Sequence, residues 1–185
     1  MLARANVQGG ETVLVTGASG VSVSHWSSWR QLAARTFWRS RVGPKRDAVR
    51  ANGAEQIFNR DSPDILARIA AAPAGLDVVA DIPGGPGLSA MMPVLRDNGR
   101  WVIAGAVAGL VIVFDLRRLY LHNVQLIGFS KHTGVHFRRL VELACRGDVR
   151  PQVGSTFALT ETAEAQRDFS ERRHIGKIVL LPHQY

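Results

Sequence analysis

Cysteine is nearly missing from this chain: Cys145 is the one thiol in 185 residues. A single thiol excludes an internal disulfide and a zinc site built from several thiolates. Its setting, Glu142-Leu-Ala-Cys-Arg-Gly-Asp, reads as a helix end, where cysteine serves as a small hydrophobe. Long apolar runs are missing too. Arg, Asp or Gly interrupts each run before the roughly 20 residues a membrane span needs, so no membrane partner is expected. The N-terminal MLARANVQGGETVLV has no signal-peptide design: its apolar run follows Glu11 and lacks a small-residue cleavage site. A cytoplasmic location is the resulting expectation. The six histidines (His25, His122, His132, His136, His174, His183) show no HExxH or Cys/His spacing, and the pair His132/His136 alone does not make a metal site. Ser19 is not in a GxSxG elbow, so no Ser-His-Asp nucleophile is argued. Internal repeats, low-complexity segments and long tracts of like charge do not occur. The net charge of +8 comes from 23 Lys and Arg against 15 Asp and Glu. Its clusters, Arg117/Arg118, Arg138/Arg139 and Arg172/Arg173, are scattered over several predicted elements. That reads as solvated faces, with a phosphate-bearing cofactor as the second reading and no nucleic-acid partner.

What the chain does have is alternation. Short runs apolar on both faces are separated by helical stretches and Gly/Asp/Asn turns. The predicted strands are Glu11–Thr16, Gln56–Asn59, Leu76–Asp81, Gly99–Gly105 and Asn123–Gly128. Helices are predicted over Lys45–Asn52, closed by Gly53, over Pro63–Ala71 with Ser62 as N-cap, and over Leu88–Leu95. A further one, Val135–Arg146, gathers Phe137, Leu140, Val141 and Ala144 on one face. Strands buried on both faces and separated by helices imply a parallel sheet covered on both sides, and right-handed crossovers then give a doubly wound α/β fold. Its ligand crevice lies at the carboxyl ends of the strands, at Thr16–Ser19, Asp81–Gly84, Gly105–Val107 and Gly128–Ser130. After Gly147 the character changes. Pro151–Leu159 is strand-like, Thr160 caps a helix, and Lys177–Leu181 is a last strand before Pro182. This divides the chain into residues 1–150, the domain that carries the crevice, and 151–185, a small appendage.

The chemistry-bearing motif is Val15-Thr-Gly-Ala-Ser-Gly20, directly after the first strand. Glycine allows the tight turn and lets the backbone approach a pyrophosphate, while the following helix N-terminus offers free N–H groups and a positive dipole end. A plain strand-to-helix turn has the same residues, and the context of strand before and sheet after favours the binding reading. Dinucleotide sites that prefer NAD commonly carry an acid after the second strand. Here Lys45 and Arg46 precede Asp47, so they are expected to meet a 2′-phosphate, and NADPH is favoured over NADH. A solvated first helical turn is the alternative for both residues. Asp81 ends a strand over the crevice, where a capping or structural role competes with cofactor contact.

In order along the chain, ETVLVTGASG, GPKRDAVRANGAEQIFNRD, LDVVADIPGG, GRWVIAGAVAG, VQLIGFS, RLVELACRGDVRP and AEAQRDFSERRHIGKIVLLP cover nearly its whole length. This order resembles the nucleotide-binding part of the medium-chain dehydrogenase/reductase superfamily, in its quinone-oxidoreductase-like, zinc-binding dehydrogenase branch. The resemblance implies a Rossmann-like doubly wound parallel sheet whose C-terminal appendage returns toward a catalytic domain that this chain lacks. It implies an NAD(P)H-dependent oxidoreductase of quinone, alkene or alcohol type, present as a truncated, inactive fragment. The alternative is a non-catalytic nucleotide-binding or dimerisation module. By the same resemblance, Gly17, Ala18, Ser19 and Gly20 would line the pyrophosphate, and Asn59, Gly105 and Ala106 would lie near the adenosine or ribose. Gly128, Phe129 and Ser130 would face the nicotinamide through their backbone, Phe129 being equally acceptable as a core residue. Zinc ligands of zinc-dependent relatives fall largely in the part this chain lacks, so no zinc is expected. A small-molecule substrate is expected only with a catalytic domain. By the same resemblance, a homodimer paired through the edge strand LIGFS is the expected protein partner. The similar TGASG opening of short-chain reductases is set aside because Tyr120 has no Tyr-x-x-x-Lys partner.

One stretch departs from the family. Residues 20–43 are aberrant: Val21-Ser-Val23 replaces the expected glycines, and Trp26, Trp29 and Trp38, three of the four tryptophans, crowd the segment. Arg35, Arg39 and Arg41 make ARTFWRSRV a poor buried strand, so the second strand is expected to be damaged. Codon degeneracy lets His25-Trp-Ser-Ser-Trp29 be read in a neighbouring frame as Ala-Leu-Val-Gln-Leu, the expected helix, so a pair of compensating frameshifts accounts for the segment. A genuinely divergent helix with aromatic packing is the other reading. A β-branched Val23 at a close helix–sheet contact puts cofactor binding in doubt.

Overall fold

The computed structural model describes residues 1–17, 35–40, 50, 54–71, 75–131, 133–147, 153–171, 174 and 176–182. Its strands are β1 Thr12–Thr16, β2 Arg35–Ser40, β3 Gln56–Asn59, β4 Leu76–Asp81, β5 Leu95–Ile103, β6 Gln125–Gly128, β7 Val153–Ala158 and β8 Lys177–Leu181. Its α-helices are α1 Leu2–Ala5, α2 Ile65–Ala70, α3 Gly87–Met91, α4 Arg117–Tyr120, α5 Gly134–Cys145 and α6 Thr162–Glu171. Six strands form one parallel sheet in the order β3-β2-β1-β4-β5-β6, and β7 pairs with β8, also parallel, in a second sheet. The six-stranded order is that of a doubly wound dinucleotide fold, with its reversal between β1 and β4.

The two-residue period of a strand sorts the central side chains onto opposite faces. Val13, Val15, Val78, Ala80 and Val102 join one buried cluster, with Ala5 of α1, Val7 and Ala54. Leu14, Val79 and Trp101 join the other, with Ile65 and Ile69 of α2 and Leu88 and Met91 of α3. Both faces are covered, which is why these strands read as continuous apolar runs. Full burial of one such Val or Leu contributes roughly 1.5–3 kcal/mol relative to exposure. At the opposite end of the sheet from the strand carboxyl ends, Arg100 of β5 anchors the N-terminal segment. Its guanidinium donates to the carbonyls of Ala5 and Asn6, both at 2.8 Å, and pairs with Glu11.

Several expectations need correction. The run containing Arg35 and Arg39 does form a strand. The backbone of Arg35–Ser40 pairs with β1 on one side and β3 on the other, Thr12 opposite Arg35 and Phe37 opposite Gln56. Sheet pairing uses main-chain groups, and Thr36, Phe37 and Trp38 are strand formers, which outweighs the charge pattern. Ser62 does not cap α2. Its hydroxyl hydrogen-bonds to the Asp64 carboxylate, and the helix starts at Ile65 with Asp64 at the cap position. The helix expected over Leu88–Leu95 is α3 followed by a 3₁₀ turn, Met92–Val94, containing Pro93, after which β5 begins. β5 therefore runs earlier than expected, with a register shift against β4 and Asn98 at φ 63°, and it ends at Ile103, leaving Gly105 in the loop beyond. Except for Arg50, the helix expected over Lys45–Asn52 lies outside the described residues, as do residues 18–34, where the rest of the glycine turn and the helix after it are expected.

α5 begins where Thr133 caps it by accepting from the His136 N–H. Its expected apolar face exists, but Phe137 and Val141 are exposed and no residue of the helix is buried. No helix among the described residues is long and apolar enough to cross a membrane.

Candidate functional site at the carboxyl ends of the strands

Parallel strands deliver all their carboxyl ends to one edge. There the structure brings together Gly17 after β1, Asn59 at the end of β3, Gly105 and Ala106 after β5, and Gly128, Phe129 and Ser130 at and after β6. Ala18, Ser19, Gly20, Lys45 and Arg46 lie outside the described residues. Gly17 has φ 72°, a conformation that favours glycine, and it lets the chain turn directly off β1. A Cβ at Gly17 would lie 2.8 Å from Cδ of Pro83, so the loops after β1 and β4 are in close contact.

The loops after β4 and β5 interlock through their main chains. The Ala104 N–H donates to the Asp81 carbonyl at 2.8 Å, and the Ala108 N–H to the Pro83 carbonyl at 3.0 Å. A Cβ on Gly84 would sit 2.3 Å from the Gly105 carbonyl oxygen, and one on Gly105 2.4 Å from that of Ile82. Gly84, at φ 62°, needs glycine for its conformation as well. Gly128 differs: a Cβ there would meet nothing within 4 Å. Gly128 thus ends its strand exposed, while the wall at Gly84 and Gly105 is closed by backbone.

Beneath this wall lies Asp81, 3% exposed. Its Oδ1 accepts from the Thr16 hydroxyl at 2.5 Å and from the Gly84 N–H at 3.1 Å. Its Oδ2 accepts from the Trp101 indole N–H at 3.1 Å. The residue therefore plays the structural role, not that of a surface contact. The sequence placed Thr16 and Gly84 at the crevice, but it did not link them, or Trp101, to Asp81. The available signal was Trp101 itself, because a buried indole N–H needs an acceptor and the strand-ending Asp81 is a carboxylate.

The remaining expected residues divide. Asn59 turns its Oδ1 to the Asp61 N–H at 3.1 Å, closing a local turn. Phe129 packs against the core cluster of Val13 and Val102, and its N–H donates to the Ile103 carbonyl at 2.8 Å. Ala106 and Ser130 are exposed at the rim. Among the described residues no three His, Cys, Asp or Glu side chains converge as metal ligands.

Known proteins share this architecture. Rat quinone oxidoreductase is 26% identical over 187 residues, which is 96% of this chain and 56% of that protein. A Sinorhizobium meliloti 1021 protein, crystallised as a candidate alcohol dehydrogenase, superposes with a TM-score of 0.90 at 39% identity, covering 99% of this chain and 51% of that one. A 2-octenoyl-CoA carboxylase reductase solved with NADP and 2-octenoyl-CoA superposes with a TM-score of 0.82 at 25% identity, covering 96% of this chain and 44% of that one. The chain spans about half the length of the curated relatives it matches. The sequence profile described as "Zinc-binding dehydrogenase" matches residues 52–180, the greater part of the chain. Profile, sheet order and crevice agree, and the chain belongs to the zinc-binding dehydrogenase family.

Proposed function

We propose that the chain is the dinucleotide-binding half of an NADPH-dependent oxidoreductase that reduces a quinone, an activated alkene or a carbonyl. The observation that carries this reading is the crevice between β1 and β4, where Gly17 turns at φ 72° on the reversal point of the sheet. Open space at Gly128 fits a ligand extending along the strand ends. Gly17, Ala18, Ser19 and Gly20 would hold the pyrophosphate through backbone N–H groups. Lys45 and Arg46 would meet a 2′-phosphate, hence NADPH over NADH. Asn59, Gly105 and Ala106 would lie by the adenosine ribose, and Gly128, Phe129 and Ser130 by the nicotinamide. When bound, the cofactor supplies the hydride, and these residues supply position and exclude water on one side. The substrate requires groups from a catalytic domain beyond these residues. The division into residues 1–150 and the 151–185 appendage belongs to the same reading. Titration of the purified chain with NADPH, followed by cofactor fluorescence, tests it. Saturable binding tighter than that of NADH supports it, and no response overturns it for this polypeptide.

A second reading, a non-catalytic module that pairs with its own copy, is favoured by a separate observation. β6 is one of the two edge strands of the described sheet, and Val107, Leu110, Val111, Val113, Leu116, Tyr120 and Leu121 are exposed beyond β5. Sedimentation of the chain decides it: a dimer supports pairing, and a monomer at high concentration removes it.

A further inference from the structure

A buried carboxylate is a poor choice for stability alone. An apolar side chain of similar size avoids the desolvation cost, and all three donors that Asp81 gathers are neutral. What the carboxylate does offer is acceptor capacity at both oxygens, which no other side chain of that size provides. Its three donors come from three places: Thr16 at the end of β1, Gly84 in the loop after β4, and Trp101 within β5. Thr16 and Asp81 are register partners, so the first bond is short and fixed. Thr16 is followed by Gly17, the turn residue of the crevice. Gly84 abuts the Gly105 carbonyl across the next loop. One side chain therefore ties together the loops after β1 and β4, and through backbone contact the loop after β5.

We propose that Asp81 is a positioning residue of the dinucleotide crevice, holding Gly17 and Gly84 at one separation through its bonds to Thr16, Gly84 and Trp101. The proposal rests on the dinucleotide reading above. At 3% exposure Asp81 does not itself meet a ligand, so it acts through the two glycines.

The test is Asp81→Asn in the full chain. Asparagine keeps one acceptor oxygen and replaces the other with a donor. With its oxygen on Thr16 and Gly84, its amide N–H faces the indole N–H, and two donors oppose each other. Trp101→Phe removes that opposing donor. In the unliganded protein, hydrogen exchange of the Gly84 amide is expected to quicken about tenfold in Asp81→Asn. NADPH affinity is expected to fall about tenfold with it. In Asp81→Asn/Trp101→Phe both readouts recover about threefold, although the double variant is the less stable protein. This sign separates positioning from support. If Asp81 merely stabilised the fold, the core defect of Trp101→Phe would worsen both readouts. Unchanged Gly84 exchange in Asp81→Asn, or a double variant worse than the single one, overturns the proposal. Should Asp81→Asn fail to fold, Thr16→Val removes one of the same donors, and about threefold faster Gly84 exchange is expected, with no change overturning it. Should the unaltered chain not bind NADPH, the dinucleotide reading fails, while the unliganded exchange still decides whether Asp81 holds the crevice loops.

Discussion

Two stretches of this chain are built from the same residues and end in opposite environments. In β1 and β4, Val13, Leu14, Val15, Val78 and Val79 are all 0% exposed. Beyond β5, Val107, Leu110, Val111 and Val113 are 85–92% exposed. The first set lies between strands that are paired on both sides and covered by α1, α2 and α3. The second lies within the crossover from β5 to β6, outside any strand, where no further element of the described chain covers these side chains. Apolar composition marks residues that want covering, but whether a run pairs as a strand inside the sheet decides whether the chain itself does the covering. Large exposed apolar strips of this kind commonly mark a surface that meets another polypeptide.

The comparison is broken most severely at Trp101, which is 1% exposed and fills the second core cluster. Trp101→Ala is expected to cost about 3–5 kcal/mol, from the cavity it leaves and the unanswered Asp81 oxygen. Urea denaturation checks this through a lower midpoint at unchanged slope. Leu110→Ala, in the exposed strip, is expected to change stability by no more than about 0.5 kcal/mol. Equal losses at the two positions would mean that the strip is covered in solution, and the contrast would fall.

Next in size is Gly84→Ala. The left-handed backbone at φ 62° and the 2.3 Å approach of a Cβ to the Gly105 carbonyl both oppose a side chain. A loss of about 1–3 kcal/mol is expected in thermal or chemical unfolding. NADPH titration of the same variant is expected to show weaker binding, because the loops after β4 and β5 must separate to admit the methyl group. Wild-type affinity in this variant would show that the interlocked wall does not shape the crevice.

A third change sharpens the comparison from the other side. Leu126 on the edge strand is 40% exposed. Leu126→Lys is expected to leave the unfolding midpoint nearly unchanged, within about 0.5 kcal/mol, and to abolish self-association in sedimentation if copies pair through β6. Association that survives the charge would move the contact to another surface.

The sheet was largely legible in the sequence because burial on both faces removes polar residues from the strands. Leu76–Asp81 stands where its apolar run predicts it, and so does Lys177–Leu181, although that strand lies half-buried in the second sheet. What escaped depended on partners distant in sequence. The strand at Arg35–Ser40 looks wrong by charge and is held by main-chain pairing to β1 and β3. The early start of β5 turns on the irregular Asn98–Gly99 backbone, which no periodicity announces. At the site, the glycine turn was visible as a motif. A structural role for Asp81 was one of two readings, but its partners were not legible, since Thr16 and Trp101, 65 and 20 positions away, must be brought to one point. α5 was readable as amphipathic from Phe137, Leu140 and Val141. That its apolar face stays uncovered is a fact about neighbours, and a helix's own sequence does not contain it.

The smallest expected effect lies in the crevice itself. Gly128 ends β6 without a left-handed backbone, and a Cβ there would touch nothing within 4 Å. Gly128→Ala is therefore expected to alter stability by no more than about 0.5 kcal/mol, in contrast with Gly84→Ala two strands away across the sheet. If the room at Gly128 belongs to a nicotinamide, the added methyl group occupies ligand space, and NADPH affinity falls while the unfolding midpoint stays. Differential scanning calorimetry beside a cofactor titration reads both quantities on one preparation. Loss of both would mean that Gly128 is packed in solution. Loss of neither would leave the open end of the crevice free of ligand and place the nicotinamide elsewhere along the strand ends.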